Sequence, residues 1–231
     1  MKAIILCGGL GTRLGSLTKD IPKPLLNVAG RPFISYVLDR LAKAGINGFV
    51  LAVGFQWSKL HDYIGDEWNS VPVHYSVEAE PLGTGGAIKK ALSNMDVDEV
   101  IVVNGDTLFD INIQKFLHFA IANQSMACIA LRKVEDCSRY GSVTVNAQGR
   151  IMSFGEKDLN GEGFINGGVY YLRYNALDSI AVNAFSFETA FLELKYPKEP
   201  IFGMAFDDYF IDIGVPADLH RAQTELIALK L

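Results

Sequence analysis

Apolar residues fall along the chain in two rhythms. Short runs rich in Val, Ile and Leu occupy 3–6, 49–53, 73–77, 100–103 and 126–132, and the segments between them carry helix-like spacing. Between the first two runs Phe33, Ile34, Val37, Leu38 and Leu41 recur on one helical face, and Gly45 stands where a left-handed C-cap is wanted. Ala87, Ile88 and Leu92 open a second helix. Strands alternating with helices over 1–132 predict a parallel sheet covered on both faces.

After Arg132 the rhythm changes. Runs at 141–145 and 150–153 flank a polar turn, further strand-like runs follow at 168–172 and 201–206, and Pro216 opens a closing helix that runs to about Leu229. This half is expected to be mixed or antiparallel and inserted into the same sheet. No Pro-, Gly- or Ser-rich linker divides the chain, so 1–231 is expected to be a single domain of two halves, 1–132 and 133–231.

Composition narrows the partners. With 231 residues and 49% of them hydrophobic, the chain can bury a sizeable core. A net charge of -5 gives no global support for a nucleic-acid or anionic-membrane partner, so any anion must be held by local cations. The apolar run before Gly8 is too short for a secretory signal, and no stretch approaches the ~18 residues of a spanning helix. A cytoplasmic protein with reduced thiols at Cys7, Cys128 and Cys137 is expected; a homo-oligomer is left open.

Chemistry concentrates at strand ends. Leu6 closes the first apolar run, and Cys7-Gly8-Gly9-Leu10-Gly11-Thr12-Arg13 follow, with Lys23-Pro24 further on. Glycines let backbone amides approach phosphate oxygens, and Arg13 and Lys23 add formal charge. A dinucleotide fingerprint beginning at Gly9 would need glycine where Leu14 stands, and the Gly-Lys pair of a Walker loop is absent. Asp106 follows 100–103 through Asn104-Gly105, and Asp212 lies among Tyr209, Phe210, Ile211 and Ile213. Two carboxylates at strand ends suit one shared Mg²⁺. Asp110, Asp207 and Asp208 read as turn or surface residues. The glycine loop and Asp106 both fall beyond the carboxyl ends of strands, which predicts one crevice.

The glycine loop with Lys23-Pro24 resembles the signature of sugar-1-phosphate nucleotidyltransferases, which join a nucleoside triphosphate to a sugar phosphate and release pyrophosphate. Glu80-Pro81-Leu82-Gly83-Thr84-Gly85-Gly86-Ala87, Asn104-Gly105-Asp106, Glu156-Lys157, Asn166-Gly167-Gly168 and Asp212-Ile213-Gly214 are similar to the rest of that pattern, in the same order. The short length and the segment from Glu80 look most like the bacterial heptose 1-phosphate guanylyltransferases. The resemblance implies an α/β fold of the nucleotide-diphospho-sugar transferase type, Rossmann-like, with a mixed, mainly parallel sheet flanked by helices. Residues 1–132 would then bind nucleotide, and 133–231 would supply a small β-rich sugar-binding lobe and the closing helix.

Each motif acquires an expected role. Leu6, Gly8, Gly9, Gly11 and Thr12 would hold the nucleotide and its β- and γ-phosphates, Arg13 the departing pyrophosphate, and Lys23 the α-phosphate. Glu80 or Glu78 would select the base, beside Gly83 and Thr84, with Gly83, Gly85 and Gly86 leaving room for a planar ring. Asp106 and Asp212 would hold Mg²⁺. The resemblance assigns Gly141, Glu156, Lys157, Asn166 and Gly167 to the sugar phosphate. The expected activity is transfer from GTP to a manno-configured heptose 1-phosphate, with mannose 1-phosphate or another sugar and base as the near alternative. A non-catalytic nucleotide-sugar sensor is a second class, which has no need of Arg13, Lys23, Asp106 and Asp212 together. A dinucleotide-dependent oxidoreductase would need an acid after the second strand, where Gly54, Phe55 and Gln56 stand.

Overall fold

The computed structural model describes residues 1–9, 11–156, 161–181 and 183–229. The chain opens with β1 (Lys2–Leu6), a small hairpin of β2 (Asn27–Val28) and β3 (Arg31–Pro32), and then α1 (Phe33–Lys43). Next come β4 (Phe49–Val53), α2 (Trp57–Ile64), β5 (Glu67–Trp68), β6 (Val71–Val77), α3 (Gly83–Leu92), β7 (Glu99–Asn104), β8 (Thr107–Phe109), α4 (Ile113–Ala122) and β9 (Ala127–Val134). The second half adds β10 (Val143–Val145), β11 (Ile151–Phe154), β12 (Gly163–Arg173), a π-helical stretch at Glu188–Leu192 running into α5 (Glu193–Lys195), β13 (Ile201–Phe206), β14 (Phe210–Asp212) and α6 (Pro216–Ala228).

The expected mixed, mainly parallel sheet is present. β7, β1, β4 and β6 lie side by side in parallel. The strand expected at 126–132 does not extend that run: β9 pairs antiparallel with β12 and parallel with β13. The reason is β12, whose eleven largely buried residues insert between β7 and β9 and pair antiparallel with both. A strand from the second half therefore sits in the middle of the sheet, so both halves share one core.

Period-two alternation sorts that core into two layers. Ile5, Leu51 and Ile101 face α1, α4 and α6, while Ile4, Val50 and Val102 face α3 and the segment carrying Phe187 and Phe191. The predicted stripe of α1 is buried throughout, and Gly45 has the left-handed φ of 83° that ends the helix. Each fully buried Phe or Ile in these layers contributes on the order of 1.5–3 kcal/mol of transfer free energy. Among the described residues no helix is long and apolar enough to cross a membrane.

Two short strands absent from the sequence reading, β8 and β14, pair antiparallel with Thr107 opposite Asp212. The amide of Ile213 donates to the carbonyl of Asp106 at 3.0 Å. This small sheet brings residues 106 and 212 together.

Candidate active site

The crevice is built where β1 and β7 end. Gly105 N donates to Leu6 O at 2.9 Å and Cys7 N to Ala52 O at 2.8 Å, which aligns the glycine loop with Asn104 and Asp106. Cys7 is buried beneath the loop; burial, with Asp106 adding to it, pushes its thiol far above the ordinary range, so it remains a protonated packing residue. Gly11 takes a left-handed φ of 63°, and its carbonyl accepts from Thr18 Oγ1 at 2.9 Å, which pins the turn beyond the loop. A cavity of about 440 Å³ opens here. One wall is Leu6, Gly8, Gly9, Gly11 and Thr12, the other is Gly83 and Thr84, and Asn104 and Asp106 lie between. Arg13 is exposed on the 3₁₀ segment Thr12–Thr18 and is not part of this wall.

Lys23 is the electrostatic centre. It sits in a 3₁₀ turn, Lys23–Leu25, and is almost wholly buried. Its Nζ hydrogen-bonds Asp106 Oδ2 and stands 3.7 Å from Asp212 Oδ1. Gly214 makes this approach feasible, because a Cβ there would lie 2.7 Å from Asp212 Oδ1 and 3.1 Å from Lys23 Nζ. The Gly214 amide instead donates to Asp212 Oδ1 at 2.7 Å.

Arg139, which the sequence reading missed, holds the other oxygen of Asp212 at 3.1 Å and also pairs with Asp218. Asp218 is shared with Arg221 at 3.0 Å. The only signal in the sequence was position, directly before Tyr140-Gly141. Burial and the neighbouring charge of Asp106 push the carboxyl of Asp212 above its ordinary value, while Lys23 and Arg139 pull it back.

The donor set fits a divalent cation that leans on its substrates. Asp106 and Asp212 both turn a carboxylate oxygen to Lys23 Nζ and so lie close enough to share one cation, and among the described residues there is no cluster of three or more His, Cys, Asp or Glu. A hard cation held by two carboxylates keeps coordination positions for water and phosphate oxygens.

The start of α3 corrects one expectation. Cβ atoms on Gly85 and Gly86 would overlap the ring of Phe185 and the carbonyl oxygen of Asn183, so these glycines admit another stretch of the chain and not a planar base. Phe185 closes the helix start: its carbonyl accepts from Gly85 N at 3.0 Å and Gly86 N at 3.3 Å, and its amide donates to Leu82 O at 2.9 Å. Thr84 likewise turns inward, donating to Glu188 Oε2 at 2.7 Å and accepting from Phe187 N at 2.8 Å. Of the two base-selector candidates, Glu78 lines the cavity and accepts from Leu82 N at 2.9 Å, whereas Glu80 is exposed and outside the lining.

The acceptor-side residues are more dispersed. Asn166 lies in β12, where its Nδ2 donates to Tyr170 Oη at 2.9 Å and its Oδ1 accepts from Gly168 N at 3.0 Å. Gly168 packs on Asn104, which joins this strand to the cavity. The Cβ side of Gly167 is closed by Phe109. Gly141 has φ of 78° and follows Tyr140, whose ring carries the Arg139 guanidinium at 4.8 Å. Glu156 is exposed, and Lys157 lies outside the described residues.

Known proteins resemble this chain along nearly its whole length. The chain is 45% identical over 222 residues to the D-glycero-alpha-D-manno-heptose 1-phosphate guanylyltransferase of Campylobacter jejuni subsp. jejuni, covering 96% of this chain and 98% of that protein. It is 39% identical over 227 residues to the enzyme of that name from Aneurinibacillus thermoaerophilus, covering 98% of both. The crystal structure of HddC from Yersinia pseudotuberculosis complexed with GMP-PN aligns with a TM-score of 0.86 at 35% identity, over 97% of this chain and 99% of that one. The family described as Nucleotidyl transferase matches residues 2–228, the first residue of β1 to the last of α6, and the chain belongs to that family.

Proposed function

We propose that the protein transfers a guanylyl group from GTP to D-glycero-D-manno-heptose 1-phosphate, releasing pyrophosphate. The observation that carries the reading is Lys23 held between Asp106 and Asp212 at the foot of the glycine loop. The specificity for guanine and heptose is supported by the near full-length similarity to two heptose 1-phosphate guanylyltransferases.

The chemical difficulty is repulsion between two polyanions. Two unit charges ~4 Å apart cost roughly 4 kcal/mol at an effective dielectric of ~20, so attack on the α-phosphorus needs several charges neutralised. In this reading the amides of the Gly8 to Thr12 loop hold the β- and γ-phosphates, Lys23 steadies the α-phosphate, and Arg13 meets the departing pyrophosphate. Glu78 or Glu80 accepts from the Watson-Crick edge of guanine. Gly141, Glu156, Asn166 and Gly167 receive the sugar, with Lys157 on its phosphate. The sugar phosphate oxygen is itself the nucleophile, in line with the leaving group, and no covalent enzyme intermediate forms.

The family uses a divalent metal. We assign Mg²⁺, which Asp106 and Asp212 would hold and which would supply Lewis acidity and a template for phosphate oxygens. The setting that supplies GTP and keeps Cys7, Cys128 and Cys137 as thiols is the cytoplasm.

Pyrophosphate release across a matrix of nucleoside triphosphates and sugar 1-phosphates, heptose and mannose forms included, tests the whole reading. GTP with the heptose is the expected productive pair. Asp106→Asn and Asp212→Asn should each abolish turnover while retaining the fold. Wild-type rates in either variant would remove the metal assignment, and silence across the matrix with tight nucleotide-sugar binding would make the protein a sensor.

A further inference from the structure

We propose that Glu188 is a positioning residue that sets the orientation of the Asn166 amide through Tyr170 and ties it to the start of α3 through Thr84, so that the sugar and nucleotide sides of the crevice are coupled. The proposal rests on the reading of Asn166 as a sugar contact.

The four side chains form one hydrogen-bonded relay. Glu188 Oε2 accepts from Thr84 Oγ1 at 2.7 Å and from Ser186 Oγ at 2.9 Å, and Oε1 accepts from Tyr170 Oη at 3.4 Å, the longest bond of the set. Tyr170 is 1% exposed, so its hydroxyl depends on protein partners. Burial, reinforced by the charge of Glu188, keeps its phenol protonated well above the ordinary range. Phe187 packs edge-on against the Tyr170 ring at 5.2 Å, which fixes the ring beside the π-helical turn that begins at Glu188.

The polarity of the relay follows from one charge. An ionised carboxylate can only accept, so each hydroxyl that points at it must donate and is left with lone pairs to accept from elsewhere. Thr84 Oγ1 accepts from Phe187 N at 2.8 Å, Ser186 Oγ from Thr189 N at 3.2 Å, and Tyr170 Oη from Asn166 Nδ2 at 2.9 Å. The Asn166 amide is thereby oriented, with Oδ1 towards Gly168 N at 3.0 Å. One Nδ2 hydrogen and one Oδ1 lone pair remain for a sugar hydroxyl. At the other end of the relay, Thr84 belongs to the wall of the nucleotide cavity. The acid therefore links two subsites without lining the cavity itself.

Glu188→Gln exchanges one accepting oxygen for a donating NH₂, and at least one hydroxyl must reverse. The expected result is a KM for the sugar phosphate raised about five- to tenfold, the worth of one hydrogen bond. The KM for nucleotide should rise less, with kcat nearly unchanged. Tyr170→Phe keeps the ring in its packing and should reproduce the sugar-phosphate effect. Combined with Asn166→Ala, Glu188→Gln should add nothing further to that KM.

A second readout does not use turnover: the side-chain amide resonances of Asn166 should move in both Glu188→Gln and Tyr170→Phe. Unmoved resonances, additive kinetic losses, or equal losses in kcat and both KM values would overturn the proposal. If Asn166→Ala retained the wild-type KM while the resonances moved, the relay would be supported and the sugar contact of Asn166 would fall.

Discussion

Lys23 Nζ stands 3.7 Å from Asp212 Oδ1 while hydrogen-bonded to Asp106, and the lysine side chain is 7% exposed. A single ammonium thus separates two carboxylates that would otherwise repel each other. Lys23→Ala should lower kcat by about 10²- to 10³-fold, the usual cost of one preorganised charge donor. It should also lower Tm, because breaking a buried ion pair leaves the partner uncompensated. Millimolar Mg²⁺ should raise the Tm of the variant more than that of the wild type, since a divalent cation at Asp106 and Asp212 replaces the missing charge. Equal metal-induced shifts in both proteins would place the cation elsewhere.

Much of this was legible in the chain because local chemistry and period carry it. The alternation of short apolar runs with helix-like segments over 1–132 foretold a sheet covered on both faces, and the stripe from Phe33 to Leu41 with Gly45 foretold α1 and its end. The glycine loop, Lys23, Asp106 and Asp212 were visible as residue types at strand ends. What stayed hidden depends on tertiary pairing. β8 and β14 have only three residues each, too few for a periodic signal, yet their pairing brings Asp106 and Asp212 together. The neighbours of β12 follow from sheet order and not from its own apolar pattern. Gly85 and Gly86 advertised close approach, but whether base or backbone approached was decided by Phe185, about a hundred positions away.

Glu78 accepts from Leu82 N at 2.9 Å at the edge of the cavity, and Glu80 points to solvent. If guanine is read here, Glu78→Gln should raise the KM for GTP and narrow the preference for GTP over ATP, by about 1–3 kcal/mol for a charged hydrogen bond. Glu80→Gln should change neither. Competition assays with the two triphosphates provide the comparison, and a larger loss in Glu80→Gln would move the selector to the exposed position.

Gly86→Ala would place a methyl against the carbonyl oxygen of Asn183 and 2.8 Å from Leu82 Cβ. Neither neighbour is the end of a flexible side chain, so the segment across α3 must shift. Overpacking of this kind costs typically about 1–3 kcal/mol. The amides of residues 85 and 86, which donate to Phe185 O, and the amide of Phe185, which donates to Leu82 O, should lose protection from hydrogen exchange locally, and nucleotide affinity should fall with it. A variant with wild-type exchange at residues 85, 86 and 185 would mean that this contact does not hold the wall of the cavity.

Asp110 offers a pH test away from the chemistry. Its carboxyl is raised above the ordinary value chiefly by burial, despite Arg40 Nη2 at 3.0 Å, with Asp208 pushing in the same direction as burial. A raised folded pKa contributes stability that is present below the unfolded value and lost as pH rises through the folded one. Ionised Asp110 is therefore a net cost at neutral pH, which Asp110→Asn removes. The substitution also alters the bond to Arg40, but that offset does not follow the titration of Asp110. Relative to wild type, the variant should gain stability as pH rises from about 4 to 7, with turnover unchanged. A difference that stayed flat across that range would show that Arg40 balances burial at this site, and one that grew towards acid would show that Arg40 outweighs it.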